Sequence, residues 1–207
     1  MLHIIDHPLV QHKLFLMRNK NTGSKEFREL VYEIAQMLGY EAMRNLKTKL
    51  IEVETPLAKT TVATLSGSKL ALVPILRAGL AMADAIANAV PAAKIGHIGI
   101  YRHPETHAAV EYFCKLPADI SKRDVFVLDP MLATAASAIA ALNLLKQHGA
   151  KNIIFVCILA APEGISRLQS AYPDLEIYTA AVDEKLDAND YIVPGLGDAG
   201  DRIFGTI

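Results

Sequence analysis

Cysteine is nearly absent from this chain. Cys114 and Cys157 are the two present, and neither has another cysteine or a histidine at a metal-ligand spacing. They read as buried thiols of a reducing compartment. Charge of one sign is also lacking: 21 Lys and Arg stand against 22 Asp and Glu, a formal net charge of -1. No global basic field exists to hold a nucleic-acid backbone, so no nucleic acid partner is expected and any phosphate site must be local. No apolar run approaches membrane-spanning length, and the apolar start at residues 1–5 is too short, and too broken by His3 and Asp6, for a signal peptide. The expectation is a cytoplasmic chain with no membrane partner. His97, His103, His107 and His148 form no HExxH pattern, and no G-x-S-x-G elbow follows an apolar run, which leaves zinc-hydrolase and serine-hydrolase chemistry without support. Internal repeats and low-complexity segments are missing too.

What is present is a rhythm. The 207 residues suit one domain with one substantial core. Phe27, Leu30, Val31, Ile34 and Leu38 share one helix face, with Ser24 as an expected N-cap. The apolar run 70–76 reads as a buried strand, followed by Arg77, Ala78, Gly79 and an alanine-rich helix to Asn88. The pattern returns with strands at 95–101, 125–128, 152–159 and 175–181, and helices at 137–148 and 162–169. Short apolar strands alternating with helices indicate βαβ units and a mainly parallel sheet covered on both faces, an α/β fold. Between Arg102 and Lys122 the rhythm breaks, and Val110, Tyr112 and Cys114 alternate with Glu111, Phe113 and Lys115, which predicts an inserted arm with strand character outside the core. The tail from 191 to 207 holds four glycines and one proline and is not expected to form a regular helix.

In an open parallel sheet, ligands bind beyond the carboxyl ends of the strands. After 125–128 come Asp129, Pro130, Met131, Leu132, Ala133, Thr134, Ala135, Ala136 and Ser137, leading straight into a helix. A strand-loop-helix junction of small and hydroxyl residues offers backbone N–H groups and a helix dipole to a phosphate. Asp129 is an acceptor suited to a sugar diol. The plainer alternative is that Asp129 and Thr134 form a turn and a cap. Arg77 beside Gly79 could clamp a diphosphate through its forked guanidinium, and Arg102 ends another strand in the equivalent place. For either arginine alone, a surface ion pair is the ordinary reading; two at strand ends weaken it. The tail YIVPGLGDAGDR, residues 191–202, exposes enough backbone to hydrogen-bond a planar base, although such a loop can equally be a turn.

Together these segments are recognisable. VPILRAGL (73–80), DPMLAT (129–134), AAPEG (160–164) and YIVPGLGDAGDR (191–202) closely resemble the uracil phosphoribosyltransferase family, as do HPLVQHKL (7–14), KEFRELV (25–31) and VETPLA (53–58). The match runs through nearly the whole chain in order. The resemblance implies a type I phosphoribosyltransferase fold within one domain, residues 1–207, with a core at about 60–185. A small hood would be built from the N- and C-terminal segments, and a flexible arm from about 102–122.

By the same resemblance, residues 129–137 would hold the ribose hydroxyls and 5'-phosphate of phosphoribosyl diphosphate (PRPP), while Arg77 and Arg102 would bind its diphosphate. Ile192, Gly197, Asp198 and Ala199 would bind uracil, with Asp198 also reaching PRPP. Mg2+ would arrive with PRPP, since Pro130 replaces the second of the paired acids common in other phosphoribosyltransferases. GTP activation and homo-oligomer formation, as a dimer or larger, are also implied. A backbone pattern of N–H, C=O, N–H would match the acceptor, donor, acceptor edge of uracil and reject cytosine. Asp198 is the one side chain nominated to accept the N1 proton.

One departure is Ala135-Ala136, where family members usually carry Gly-Gly. If either position needed positive φ, alanine would cost about 1–2 kcal/mol, against affinity if it were paid on binding. If both open the helix, alanine is favourable. The helical-start reading is preferred. Two alternatives are a non-catalytic sensor of PRPP or a nucleotide on the same fold, to which the Ala-Ala points, and a phosphoribosyltransferase for another base such as orotate. For orotate, the tail offers Arg202 as its one cation near the base.

Overall fold

The computed structural model describes residues 1–66, 69–102 and 109–206. The first half contains β1 (Leu2–Ile4), α1 (Pro8–Arg18), α2 (Ser24–Ala42), β2 (Thr48–Glu54), β3 (Lys59–Leu65), β4 (Lys69–Leu76) and α3 (Leu80–Ala89). Then follow β5 (Lys94–Ile95), β6 (His97–Arg102), β7 (Ala109–Lys115), β8 (Arg123–Leu128), β9 (Met131–Leu132) and α4 (Ala136–Gln147). The chain ends with β10 (Asn152–Val156), β11 (Leu159–Ala160), α5 (Pro162–Ala171), β12 (Glu176–Thr179), β13 (Ala181–Val182), β14 (Lys185–Leu186), β15 (Ile192–Val193) and α6 (Ala199–Phe204).

The main sheet has the order β1-β12-β10-β8-β4-β6-β7, with β5 also on β4, and every pairing is parallel except β6 with β7. Alternation along the central strands explains why both faces are covered. Leu72, Phe126, Leu128 and Val156 pack with α1, α2, α3 and α6, while Val73, Val125, Val127 and Phe155 pack with α4 and α5. At β4 and β8 the chain's direction across the sheet reverses. From β4 it passes through α3 to β6 on one side, and from β8 through α4 to β10 on the other. Their carboxyl ends therefore flank a switch-point crevice.

Several expectations need correction. The arm strand is not outside the core sheet: β7 pairs antiparallel with β6 as its edge strand, with a register shift at Gly99 and Ile100. The tail does contain a helix, α6. Its glycines bracket that helix rather than break it, because the Asp198 side chain accepts from the Asp201 N–H at one end and Gly205 takes φ 68° at the other. Ser24 is the first residue of α2, and Gly23 occupies the cap. The long runs 95–101, 152–159 and 175–181 each break into two strands.

The breaks after β8, β10 and β12 serve the site. Each is followed by a two-residue strand, and these form a small parallel sheet, β13-β11-β9, beyond the carboxyl ends of the main one. The Leu159 N–H donates to the Pro130 carbonyl and the Ala161 N–H to the Leu132 carbonyl, fastening the 129–137 segment to its neighbour. The β2–β3 hairpin, by contrast, pairs with no other strand among the described residues. Its apolar side chains are in water, Leu50 at 72% and Leu57 at 97% exposure. Among the described residues, no helix is long and apolar enough to cross a membrane.

Candidate active site

Strand β8 delivers Asp129 to the crevice, and Leu128 of the same strand sets how closely α3 approaches. A Cβ on Gly79 would lie 2.3 Å from the Leu128 carbonyl oxygen, so only glycine lets α3 start against the strand that carries Asp129. Gly164 in α5 does the same for the loop itself, since its Cβ would meet the Ala133 carbonyl oxygen at 2.1 Å. The AAPEG motif thus supports the 129–137 segment from behind. Glu163 beside it accepts the Leu186 N–H at 3.0 Å and so anchors the strand leading to the tail loop.

Asp129 is half-buried, and its carboxyl is pushed up to about 7. Loss of hydration is the main cause, the Met131 N–H opposes it, and the charge of Asp198 adds to it. The Ala136 N–H approaches Thr134 Oγ1 at 3.5 Å at the start of α4.

Ala135 overturns half of the helical-start expectation. Ala136 does begin α4, but Ala135 caps it at φ 62°, ψ 5°, in the left-handed region. Its methyl is almost fully buried against the core on the α4 side, which offsets part of the backbone cost. The buried methyl fixes that conformation within the fold, so the strain is carried by folding.

The other wall comes from the chain's end. Asp187 Oδ1 accepts the N–H groups of Asn189 and Tyr191, each at 2.8 Å, turning β14 into β15. Beyond β15, the Gly195 N–H donates to Asp183 Oδ2 at 2.8 Å. Arg18 of α1 grips the same Asp183 carboxylate with both guanidinium nitrogens, at 2.5 and 2.8 Å, and donates to the Gly195 carbonyl at 2.8 Å. Arg202, the proposed cation for an orotate carboxylate, is committed elsewhere. It donates to the carbonyls of Met17, Leu196, Asn19 and Thr22 and stacks over Phe27 with its Cζ 4.3 Å from the ring centre.

One cleft of about 430 Å³ gathers Arg77, the whole of 129–137, Ile192, Gly197, Asp198 and Ala199. Two strand-end segments picked from the sequence, Arg77 and 129–137, therefore share a single site with the tail loop. Arg102 ends β6, and residues 103–108 lie outside the described residues, so the diphosphate role given to Arg102 is not placed. The sequence reading missed Asn189 and Asp190, which also line the cleft beside Tyr191 of the tail motif. Their signal was the run Asp187-Ala188-Asn189-Asp190, a cluster of turn formers that Asp187 folds inward. Among the described residues, no group of three or more His, Cys, Asp or Glu could hold a metal.

A switch-point cleft between the 129–137 loop before α4 and a backbone-rich loop facing it is the arrangement of the type I phosphoribosyltransferase fold. The fold agrees with solved structures of remote sequence. A hypoxanthine-guanine phosphoribosyltransferase from Bacillus anthracis superposes with a TM-score of 0.53 at 13% identity, over 77% of this chain and 80% of the other. The hypoxanthine phosphoribosyltransferase of Trypanosoma cruzi gives 0.51 at 12%, over 77% and 76%. A family model described as uracil phosphoribosyltransferase matches residues 4–206. The uracil phosphoribosyltransferase of Staphylococcus aureus (strain Newman) is 59% identical over 205 residues, covering 99% of this chain and 98% of that one. The solved AQ2163 protein of Aquifex aeolicus is 36% identical, with a TM-score of 0.93 over 99% and 98% of the two chains. The chain belongs to the uracil phosphoribosyltransferase family, and it is an enzyme of the pentosyltransferase kind.

Proposed function

We propose that this cleft transfers the phosphoribosyl group of PRPP to N1 of uracil, giving UMP and diphosphate in pyrimidine salvage. The observation that carries the assignment is the meeting of the 129–137 loop and the 197–199 loop in one cleft, with Arg77 at its edge. Residues 129–137 take the ribose hydroxyls and 5'-phosphate, the latter on N–H groups at the start of α4. Ile192 and residues 197–199 take the base, largely through backbone. Arg77, with Arg102 from the arm, stabilises the charge that grows on the departing diphosphate. N1 attacks the anomeric carbon from the opposite face, inverting it through an oxocarbenium-like state. Catalysis is mostly positioning and electrostatics.

Asp198 accepts the N1 proton in this scheme, and its cap bond to the Asp201 N–H, 2.9 Å, orients the carboxylate. Mg2+ would come as a companion of the diphosphate oxygens rather than in a protein cage, since among the described residues no three His, Cys, Asp or Glu gather to hold one. It would neutralise leaving-group charge. We also assign the chain to a homo-oligomer in the cytoplasm. The β2–β3 hairpin supports self-association, because an isolated hairpin with apolar side chains in water is marginal without a covering surface.

The test mixes the protein with PRPP, Mg2+ and labelled uracil, cytosine or orotate, with and without GTP. UMP forming from uracil, with no nucleotide from the other two bases, is the expected result, and a rate raised by GTP would establish that activation. Absence of UMP in every condition would contradict the enzyme reading and favour the sensor alternative.

A further inference from the structure

Arg77 is not idle at the cleft edge. Its Nη2 lies 3.6 Å from Asp201 Oδ1, and its Cζ stands 5.6 Å from the ring centre of Phe204, both on α6. The guanidinium therefore rests over the short helix that follows the base loop. A Cβ on Gly200 would come 3.9 Å from Arg77 Nη2 and 3.2 Å from Asp198 Oδ1, so both side chains lie beside that end of α6. Asp201 is itself held in place. Thr206 Oγ1 donates to its carboxylate at 2.5 Å, and the Gly205 N–H donates to its backbone carbonyl at 2.7 Å.

We propose that Asp201 is a positioning residue that holds Arg77 between turnovers, so that the diphosphate of PRPP must displace it. The inference rests on the diphosphate role assigned to Arg77 above and adds a residue that no contact with substrate requires. The physical argument is competition for one cation. Both partners are well exposed, 57% for the Arg77 side chain and 37% for Asp201, so the resting pair is weak and sensitive to salt. A diphosphate brings more charge and matches the guanidinium fork, so it wins the exchange. The pair lowers PRPP affinity modestly, and in return it keeps Arg77 from wandering and ties the diphosphate side of the cleft to the helix capped by Asp198.

The experiment is a double-mutant cycle on PRPP binding, read by titration calorimetry of the full chain with Mg2+ present. Asp201→Asn keeps an acceptor for Thr206 and removes the charge. It should lower the Kd for PRPP about threefold at low ionic strength, with the gain fading as salt is raised. Asp201→Glu, which retains the charge, should return the Kd towards wild type. Arg77→Ala should weaken binding, and in that background Asp201→Asn should have no further effect. A general repulsion between Asp201 and the anionic substrate would persist without Arg77, and that persistence overturns the proposal. Unchanged or weaker binding in Asp201→Asn, with Arg77→Ala impaired, overturns it too. If Arg77→Ala binds PRPP normally, the diphosphate role fails first and the inference with it.

Discussion

The negative charge of Asp198 reaches Asp129 across the cleft that both residues line, and it adds to the burial that holds the Asp129 carboxyl at about 7. The proposed sugar-diol and base sites are thus electrostatically joined. The folded form of Asp129 keeps its proton above the ordinary carboxylate range. Its stabilising contribution is therefore present below about pH 4 and lost as pH rises through about 7. Unfolding of the wild type against Asp129→Asn by urea, from about pH 4 to about pH 8, should show the variant gaining on the order of 3 kcal/mol relative to wild type across that window. PRPP binding by the wild type should tighten over the same window as the carboxylate forms, and the variant should lack that response. A pH-independent difference in stability between the two proteins would contradict the assignment.

Ala135→Gly removes a left-handed strain of about 1–2 kcal/mol, but it also empties a buried methyl site and frees the unfolded chain. These effects nearly cancel, so thermal stability should move by less than about 1 kcal/mol. Because burial of the Ala135 methyl fixes the strained conformation within the fold, PRPP affinity should stay within about twofold. A tenfold gain in PRPP affinity by calorimetry would show instead that the strain is paid on binding.

Gly164→Ala should be severe. Its new methyl would stand 2.1 Å from the Ala133 carbonyl oxygen, a contact relieved only by parting α5 from the 129–137 loop. Steady-state kinetics should show KM for PRPP raised about tenfold or more with KM for uracil less affected, and unfolding should detect a loss of about 1–3 kcal/mol.

Arg18→Ala leaves the Asp183 carboxylate, 5% exposed, without its paired cation beside Gly195. A cost on the order of 2 kcal/mol is expected from the uncompensated charge, moderated because Arg18 is itself partly hydrated. The loop proposed to bind the base hangs on the same carboxylate through the Gly195 N–H, so KM for uracil should rise more than KM for PRPP.

The paired replacement Ile51→Glu with Val62→Glu places charges on two side chains that face each other across the hairpin. Light scattering should report a smaller assembly than wild type, with unfolding of the core little changed. An unaltered mass would remove the hairpin from the interface.

Much of this site was legible because strand ends announce themselves. Apolar runs stop at Leu76 and Leu128, and the polar residues that follow fall at the switch point once the strands alternate with helices. Other features depend on packing that no local pattern carries. The φ of Ala135 is set by how α4 joins β9, and alanine's intrinsic preference points the other way. Helix α6 was hidden by glycines that read as breakers, although Asp198 and Gly205 serve as its two caps. The β2–β3 hairpin has apolar and polar residues on both faces, so its alternation carries no single buried side to reveal it. The place of Arg202 was misread because residues 197–200 just before it line the cleft while its own side chain turns back to α1 and α2.

The central claim is that one cleft at the switch point holds phosphoribosyl group and base together, and a crystal structure of the protein with UMP tests it most directly. The account predicts the 5'-phosphate on the N–H groups of residues 133–137, the ribose hydroxyls on Asp129, and the uracil edge on the backbone of Gly197, Asp198 and Ala199. UMP bound outside this cleft, or with its base turned away from residues 197–199, would contradict it.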